Sequence, residues 1–188
     1  MALRTFVKVG SITNLSDARY CAGMGADLLG FRAVPGHDNH ITPKQFQEIR
    51  GWVTGPQIVA EVYGLPDIAA WSGIQEEYRP DMIELGLQEL AVLSHEPSLP
   101  YILALAPGEQ VPADRHPTYV LIDPDDPALW QLATKYPVLV TVQQTSLVQS
   151  LLDGGGIRGL ALQGGQEDRP GLREYNELGE ILEMLDTD

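Results

Sequence analysis

Short apolar runs alternate with longer amphipathic stretches along the whole chain, and that alternation sets the expected fold. Eight runs read as strands: Thr5–Val9, Leu28–Phe31, Ile58–Val62, Met82–Leu85, Tyr101–Leu105, Tyr119–Ile122, Val138–Val142 and Gly159–Leu162. Most are apolar at successive positions rather than at every second one. That is the pattern of parallel strands covered on both faces. Helix signals lie between them. Thr42, Pro43 and Gln45 form a capping box with proline at the first helical position, and Phe46, Ile49 and Val53 continue as an apolar stripe. Asn14 is placed to cap a first helix whose inner face is Leu15, Ala18, Cys21 and Ala22. Stripes at helical spacing recur at Leu147, Val148, Leu151 and Leu152, and at Leu178, Ile181, Leu182 and Leu185. One crossover breaks the rule. Pro107, Pro112 and Pro117 lie between the fifth and sixth runs with no apolar stripe, so this connection is expected to be a loop.

Strands alternating with helices permit a closed barrel or an open doubly wound sheet. An open sheet ordinarily carries a glycine-rich dinucleotide loop after its first strand, and Gly10-Ser11-Ile12-Thr13 is not one. At roughly 23 residues per strand–helix unit the chain is compact for a barrel, and periodicity alone does not choose between the two.

Composition narrows the function classes. The chain has 188 residues, 44% of them hydrophobic, with no low-complexity run or linker, so one domain spanning 1–188 is expected. Its 26 acidic and 12 basic residues give a net charge of −14, which disfavours nucleic acid and anionic membrane surfaces as partners. A small anionic substrate would need locally positive groups. Cys21 is the single cysteine, so no intramolecular disulfide is possible and a cysteine-based zinc site is not expected. The start does not read as a signal peptide, and no apolar stretch approaches the ~20 residues of a membrane span. A cytoplasmic protein is the expectation.

Two segments carry a family resemblance. Val7-Lys8-Val9-Gly10-Ser11-Ile12-Thr13-Asn14-Leu15-Ser16-Asp17-Ala18, followed by Gly25-Ala26-Asp27-Leu28-Leu29-Gly30-Phe31, resembles the opening of phosphoribosylanthranilate isomerase, V-K-I-C-G-I-T-N-x-x-D-A and then G-A-D-x-x-G-F. Gly164-Gly165-Gln166-Glu167-Asp168-Arg169-Pro170-Gly171-Leu172-Arg173 is similar to its closing S-G-V-E-x-x-P-G-x-K. Leu121-Ile122-Asp123 resembles the family's L-L-D, and Ile41-Thr42-Pro43 the start of its second helix. The match runs in order over essentially the whole chain, specific at the opening and loose in the middle. It implies a compact (β/α)8 TIM barrel in which the fifth helix is replaced by a loop.

The resemblance also implies a chemistry. The family performs an Amadori rearrangement of an aminoaldose phosphate in tryptophan biosynthesis. That reaction needs an acid for the ring oxygen, a base for the C2 proton and donors for the phosphate. Asp123 matches the family's acid; the plainer reading is a cap of the following turn. Gly10 stands at the position of the catalytic cysteine and cannot accept a proton, and Ser11 stands where the family has glycine. Cys21, on the apolar face of the first helix, reads as a small buried hydrophobe. Gly164 and Gly165 keep amides that could approach a phosphate, whereas Val142 and Gln143 replace the seventh-strand glycines and are expected to obstruct it. Asn39 replaces the substrate-side arginine, and Glu84 lies in what is Q-L-H-G in the family.

Strand parity suggests what stands in place of the lost groups. If Gly10 faces inward, so does Lys8, and similar parity turns Arg32, Glu61, Glu84 and Asp123 inward. Charges there are expected to pair with one another. One reading is a satisfied polar layer without chemistry. The other is a remodelled site with Glu84 or Glu61 as base, Asp123 as acid, and Lys8 or Arg32 as the positive charge holding a phosphate. His37 and His40 flank only Asp38, so no metal is expected, nor any cofactor. Three functions follow: an isomerase or relative acting on a small phosphorylated sugar, a non-catalytic barrel serving binding or interaction, and an enzyme of different chemistry. A homodimer is compatible with each.

Overall fold

In the computed structural model eight parallel strands close on themselves, and residues 2–164 and 176–187 are described. The strands are β1 (Phe6–Gly10), β2 (Leu28–Arg32), β3 (Gln57–Glu61), β4 (Met82–Leu85), β5 (Tyr101–Ala104), β6 (Tyr119–Ile122), β7 (Val138–Thr141) and β8 (Gly159–Gln163). They pair in chain order, and β8 returns to β1 with Phe6 opposite Gly159 and Gly10 opposite Gln163. Seven helices follow among the described residues: α1 (Leu15–Gly23), α2 (Pro43–Arg50), α3 (Ile68–Tyr78), α4 (Leu87–Val92), α5 (Leu129–Ala133), α6 (Thr145–Gly154) and α7 (Asn176–Leu185). The expected barrel is the observed one. The crossover from β5 to β6 has no helix, as its prolines imply.

The continuous apolar runs are explained by two cores. Outward side chains such as Val7, Val9, Leu29, Phe31, Ile83 and Leu103 pack under the helices. Inward ones, Leu28, Val59, Met82, Ile102, Leu139 and Ala161, meet inside the barrel with Phe6, Tyr119 and Leu121 against them. Every strand is thus buried on both faces, the arrangement of a packed barrel interior.

Local signals place the helices. Thr42 Oγ1 accepts the Gln45 N–H at 3.4 Å while Gln45 Oε1 accepts the Thr42 N–H at 3.1 Å, completing the box. Asn14 Oδ1 accepts from the Asp17 N–H at 3.0 Å. The α2 stripe then seats Phe46 edge-on against Phe31, ring centres 5.1 Å apart, with Tyr78 of α3 at 5.2 Å. A repeated device closes the amino-terminal end. Asp27 Oδ2, just before β2, accepts from Val7 N–H of β1 at 2.8 Å, and Asp81 Oδ2, just before β4, accepts from Ile58 N–H of β3 at 2.8 Å. Each carboxylate satisfies a strand-end donor. Among the described residues no helix is long and apolar enough to cross a membrane.

Phe46 is fully buried at the junction of β2, α2 and α3. Phe46→Ala is expected to lower the unfolding free energy by about 3–5 kcal/mol in urea denaturation. A loss under about 1 kcal/mol would mean that α2 is not an integral wall of the outer core.

Candidate functional site

The parity that fills the lower barrel with apolar groups turns polar side chains into its upper half. Lys8 lies in the middle of β1, and Glu61 and Glu84 lie near the carboxyl ends of β3 and β4. Lys8 Nζ is 2.8 Å from Glu61 Oε1 and 2.8 Å from Glu84 Oε2, with all three residues at most 3% exposed. The contact to Glu61 is a well-formed hydrogen bond. Glu84 Oε2 is as close to the ammonium but less well aligned with it than Glu61 Oε1. Tyr63, just beyond β3, donates its hydroxyl to Glu84 Oε1 at 2.9 Å.

The Glu61 carboxylate occupies space that two glycines leave open. A Cβ at Gly10 would stand 2.5 Å from Glu61 Oε1 and 2.7 Å from Lys8 Nζ. At Gly30 a Cβ would collide with the same oxygen. Ser11 completes the seat. Its φ of +53° aims the N–H at both Glu61 oxygens, 3.1 and 3.2 Å away, and its hydroxyl reaches Glu61 Oε2 at 3.3 Å. A non-glycine residue is strained there, so these bonds offset a conformational cost. Arg32 closes the edge: Nε donates to Ser11 Oγ at 3.3 Å and lies 3.8 Å from Glu61 Oε2.

The environments of the two carboxylates drive them apart. Burial alone would raise Glu61, but the Lys8 ammonium, the Ser11 N–H and the Arg32 charge outweigh it and hold the carboxyl below its ordinary range. Burial raises Glu84, Lys8 offsets only part of this, and the Glu61 charge adds to it, so its carboxyl lies above the ordinary range. Burial also opposes the charge of Lys8, yet the two carboxylates prevail and its pKa is raised. Tyr63 is raised well above its usual value by burial and by both glutamates.

The other expected residues are spread over the mouth. Asp123 is exposed just beyond β6, and its carboxylate has no hydrogen bond or ion pair among the described residues. It lines a cavity of about 540 Å³ with Pro107, Thr141, Gln143, Gln144 and Leu147 among its neighbours. Asp123 is therefore not part of the Lys8 cluster. Lys8 is consumed by the two glutamates, whereas the Arg32 side chain is 31% exposed. The Gly164 N–H is donated to the Gly10 carbonyl at 2.7 Å. Gly165 lies outside the described residues. Val142 packs into the outer core, and exposed Gln143 extends past the end of β7. Both also border a cavity of about 380 Å³ between the ends of β7 and β8.

Cys21 is buried, and burial with the nearby Asp17 charge pushes its thiol up to about 12, so it is inert at neutral pH. His37 is exposed with its ring against Gly64, and His40 approaches the Tyr78 hydroxyl at 3.5 Å. Among the described residues no three His, Cys, Asp or Glu side chains gather as a metal site. Tyr63 had no signal in the sequence, and Gly30 entered only as a matched glycine of the G-A-D-x-x-G-F motif. Ser11 had one: a serine in a motif position where glycine is usual.

No family model and no curated protein matches the chain. Solved structures do. The phosphoribosyl anthranilate isomerase of Thermus thermophilus is similar with a TM-score of 0.76 and 23% identity, over 96% of this chain and 98% of that one. The N-(5'-phosphoribosyl)anthranilate isomerase of Pyrococcus furiosus aligns with a TM-score of 0.74 and 16% identity, over 95% and 97%. A phosphoribosyl anthranilate isomerase in complex with reduced 1-(o-carboxyphenylamino)-1-deoxyribulose 5-phosphate aligns at 0.73 and 18%, also over 95% and 97%. At these identities the likeness is one of fold, and it spans nearly the entire barrel.

Removing the cation of a buried cluster leaves its anions uncompensated, so Lys8→Met is expected to cost about 3–5 kcal/mol near neutral pH. In the variant both glutamates lose their attraction to Lys8, which moves their folded-state pKa values upward, and stability falls as pH rises above their unfolded values. The deficit should therefore be larger at about pH 8 than at about pH 5 in urea denaturation. An equal deficit at both would exclude Lys8 as the compensating charge.

Proposed function

We propose that this chain is a phosphoribosylanthranilate isomerase-like barrel that does not perform the Amadori rearrangement and keeps its mouth as a small-molecule binding site. One observation carries the reading. The volume beside Gly10, where the resemblance would place the catalytic cysteine, is taken by the Glu61 carboxylate and the Lys8 ammonium. Glu61 is a poor substitute base, because the ammonium, the Ser11 N–H and Arg32 favour its anion and so lower its proton affinity. Asp123 keeps an acid at the rim, but an acid alone opens a sugar ring without moving the C2 proton. The phosphate grip is thin as well, with the Gly164 N–H and Lys8 both committed inside the protein.

A second reading rests on the split between the two glutamates. Glu84, with its raised carboxyl, and Asp123 at the rim are the acid–base candidates of an enzyme with different chemistry. A bell-shaped pH–rate profile with any substrate, lost in Glu84→Gln, would favour it. In either reading the ligand is a small molecule such as a phosphorylated sugar.

Purified protein given phosphoribosylanthranilate is expected to show no turnover, and the gene is expected not to rescue a tryptophan auxotroph lacking the isomerase. Turnover would overturn the proposal. Gly10→Cys is expected to stay inactive and to lose about 1–3 kcal/mol of stability, because its Cβ overpacks the Glu61–Lys8 contact. Recovery of the rearrangement in that variant would show that the cluster does not block the reaction.

A further inference from the structure

We propose that Arg32 is a receptor for a small oxyanion, a carboxylate or a phosphate group, at the barrel mouth. The inference rests on the reading of the mouth as a binding site and names the chemistry that site would take. The guanidinium is fixed on one edge. Its Nε donates to Ser11 Oγ at 3.3 Å and lies 3.8 Å from Glu61 Oε2. It is also fixed on one face, with its central carbon 5.8 Å from the centre of the Tyr63 ring. Both anchors belong to the buried cluster: Ser11 is held by Glu61, and Tyr63 by Glu84. The two terminal nitrogens, by contrast, have no hydrogen bond or ion pair among the described residues, and the side chain is 31% exposed.

An arginine anchored through Nε and stacked on a ring presents its remaining edge as a preformed fork, the geometry that takes a carboxylate or phosphate through two parallel hydrogen bonds. Preorganisation also reduces the entropy lost on binding. The charge balance is compatible. Lys8 and Ser11 share the compensation of Glu61 with Arg32, whose 3.8 Å contact is longer than a direct ion-paired hydrogen bond and leaves its outer edge to solvent. Arg32 thus supplies the local positive group that an anionic ligand needs on a chain of net charge −14.

The test is an NMR titration of the full chain with inorganic phosphate and, separately, with acetate. The Arg32 Nε–H and the Ser11 backbone N–H are expected to shift saturably with at least one anion. Tighter phosphate binding assigns a phosphate-bearing ligand, and tighter acetate binding a carboxylate. Arg32→Met should weaken the binding at least about tenfold, whereas Arg50→Met, at a comparably exposed arginine at the end of α2, should leave it unchanged. Two results would overturn the receptor: neither anion moves those two signals, or Arg32→Met, folded by its thermal midpoint, binds as tightly as the parent. The isomerase assay is independent. Turnover together with this binding sinks only the proposed loss of rearrangement, and neither turnover nor binding sinks only the receptor.

Discussion

A carboxylate placed over two glycines organises the upper half of this barrel. Glu61 enters from β3 and lies against Gly10 of β1 and Gly30 of β2, where neither neighbour has a side chain to exclude it. Burying that charge requires compensation, and every adjoining feature supplies some. Lys8 gives a full charge, Ser11 gives an N–H and a hydroxyl from a strained backbone, and Arg32 closes the exposed edge. Glu84 then shares the same ammonium and takes a hydroxyl from Tyr63. Such clusters contribute little net stability compared with a well-packed apolar layer, yet losing one member strands the others. The group therefore behaves as a unit.

That unit divides the mouth into two electrostatic regions. On the side of β1 to β4 two cations face two buried carboxylates, and among the described members of this cluster Arg32 is the one that reaches solvent. On the side of β6 and β7 the rim is acidic and open, with Asp123, Asp125, Gln143 and Gln144 among the residues lining the cavity of about 540 Å³. An exposed carboxylate, Asp123, stands in the second region, while the space beside Gly10 is filled from the first. The fold is similar to that of the isomerases over nearly the full length, and the chemistry of a barrel depends on what its strand ends present.

Much of the architecture was legible before any coordinates. The eight strands appear where the apolar runs lie, within one residue at each end. The proline-bearing crossover is the loop those prolines require, and Thr42–Gln45 caps α2 as the spacing demands. Parity also turned Lys8, Glu61 and Glu84 inward correctly, because side chains on a strand alternate with a period of two and a short strand leaves no room for slippage. Asp27, met only as part of the G-A-D motif, and Asp81 went unread as acceptors for strand ends. Each acts through a backbone N–H on a neighbouring strand, and single-sequence patterns carry no record of such a partner.

Periodicity, then, determined by itself that parallel strands buried on both faces alternate with helices, since such burial writes itself directly into consecutive apolar positions. The family resemblance added that they close as a (β/α)8 barrel with a missing fifth helix. It also marked Gly10 as a departure. Only the tertiary structure decided what the departure means. The oxygen beside Gly10 comes from Glu61, fifty-one residues away, and the one beside Gly30 is the same atom. Pairing β1, β2 and β3 side by side brings the three positions to one point, and the space left by two absent side chains acquires its occupant only there. What reads in the sequence as a departure from a motif is, in the fold, a position whose missing side chain leaves room for the Glu61 carboxylate and the Lys8 ammonium.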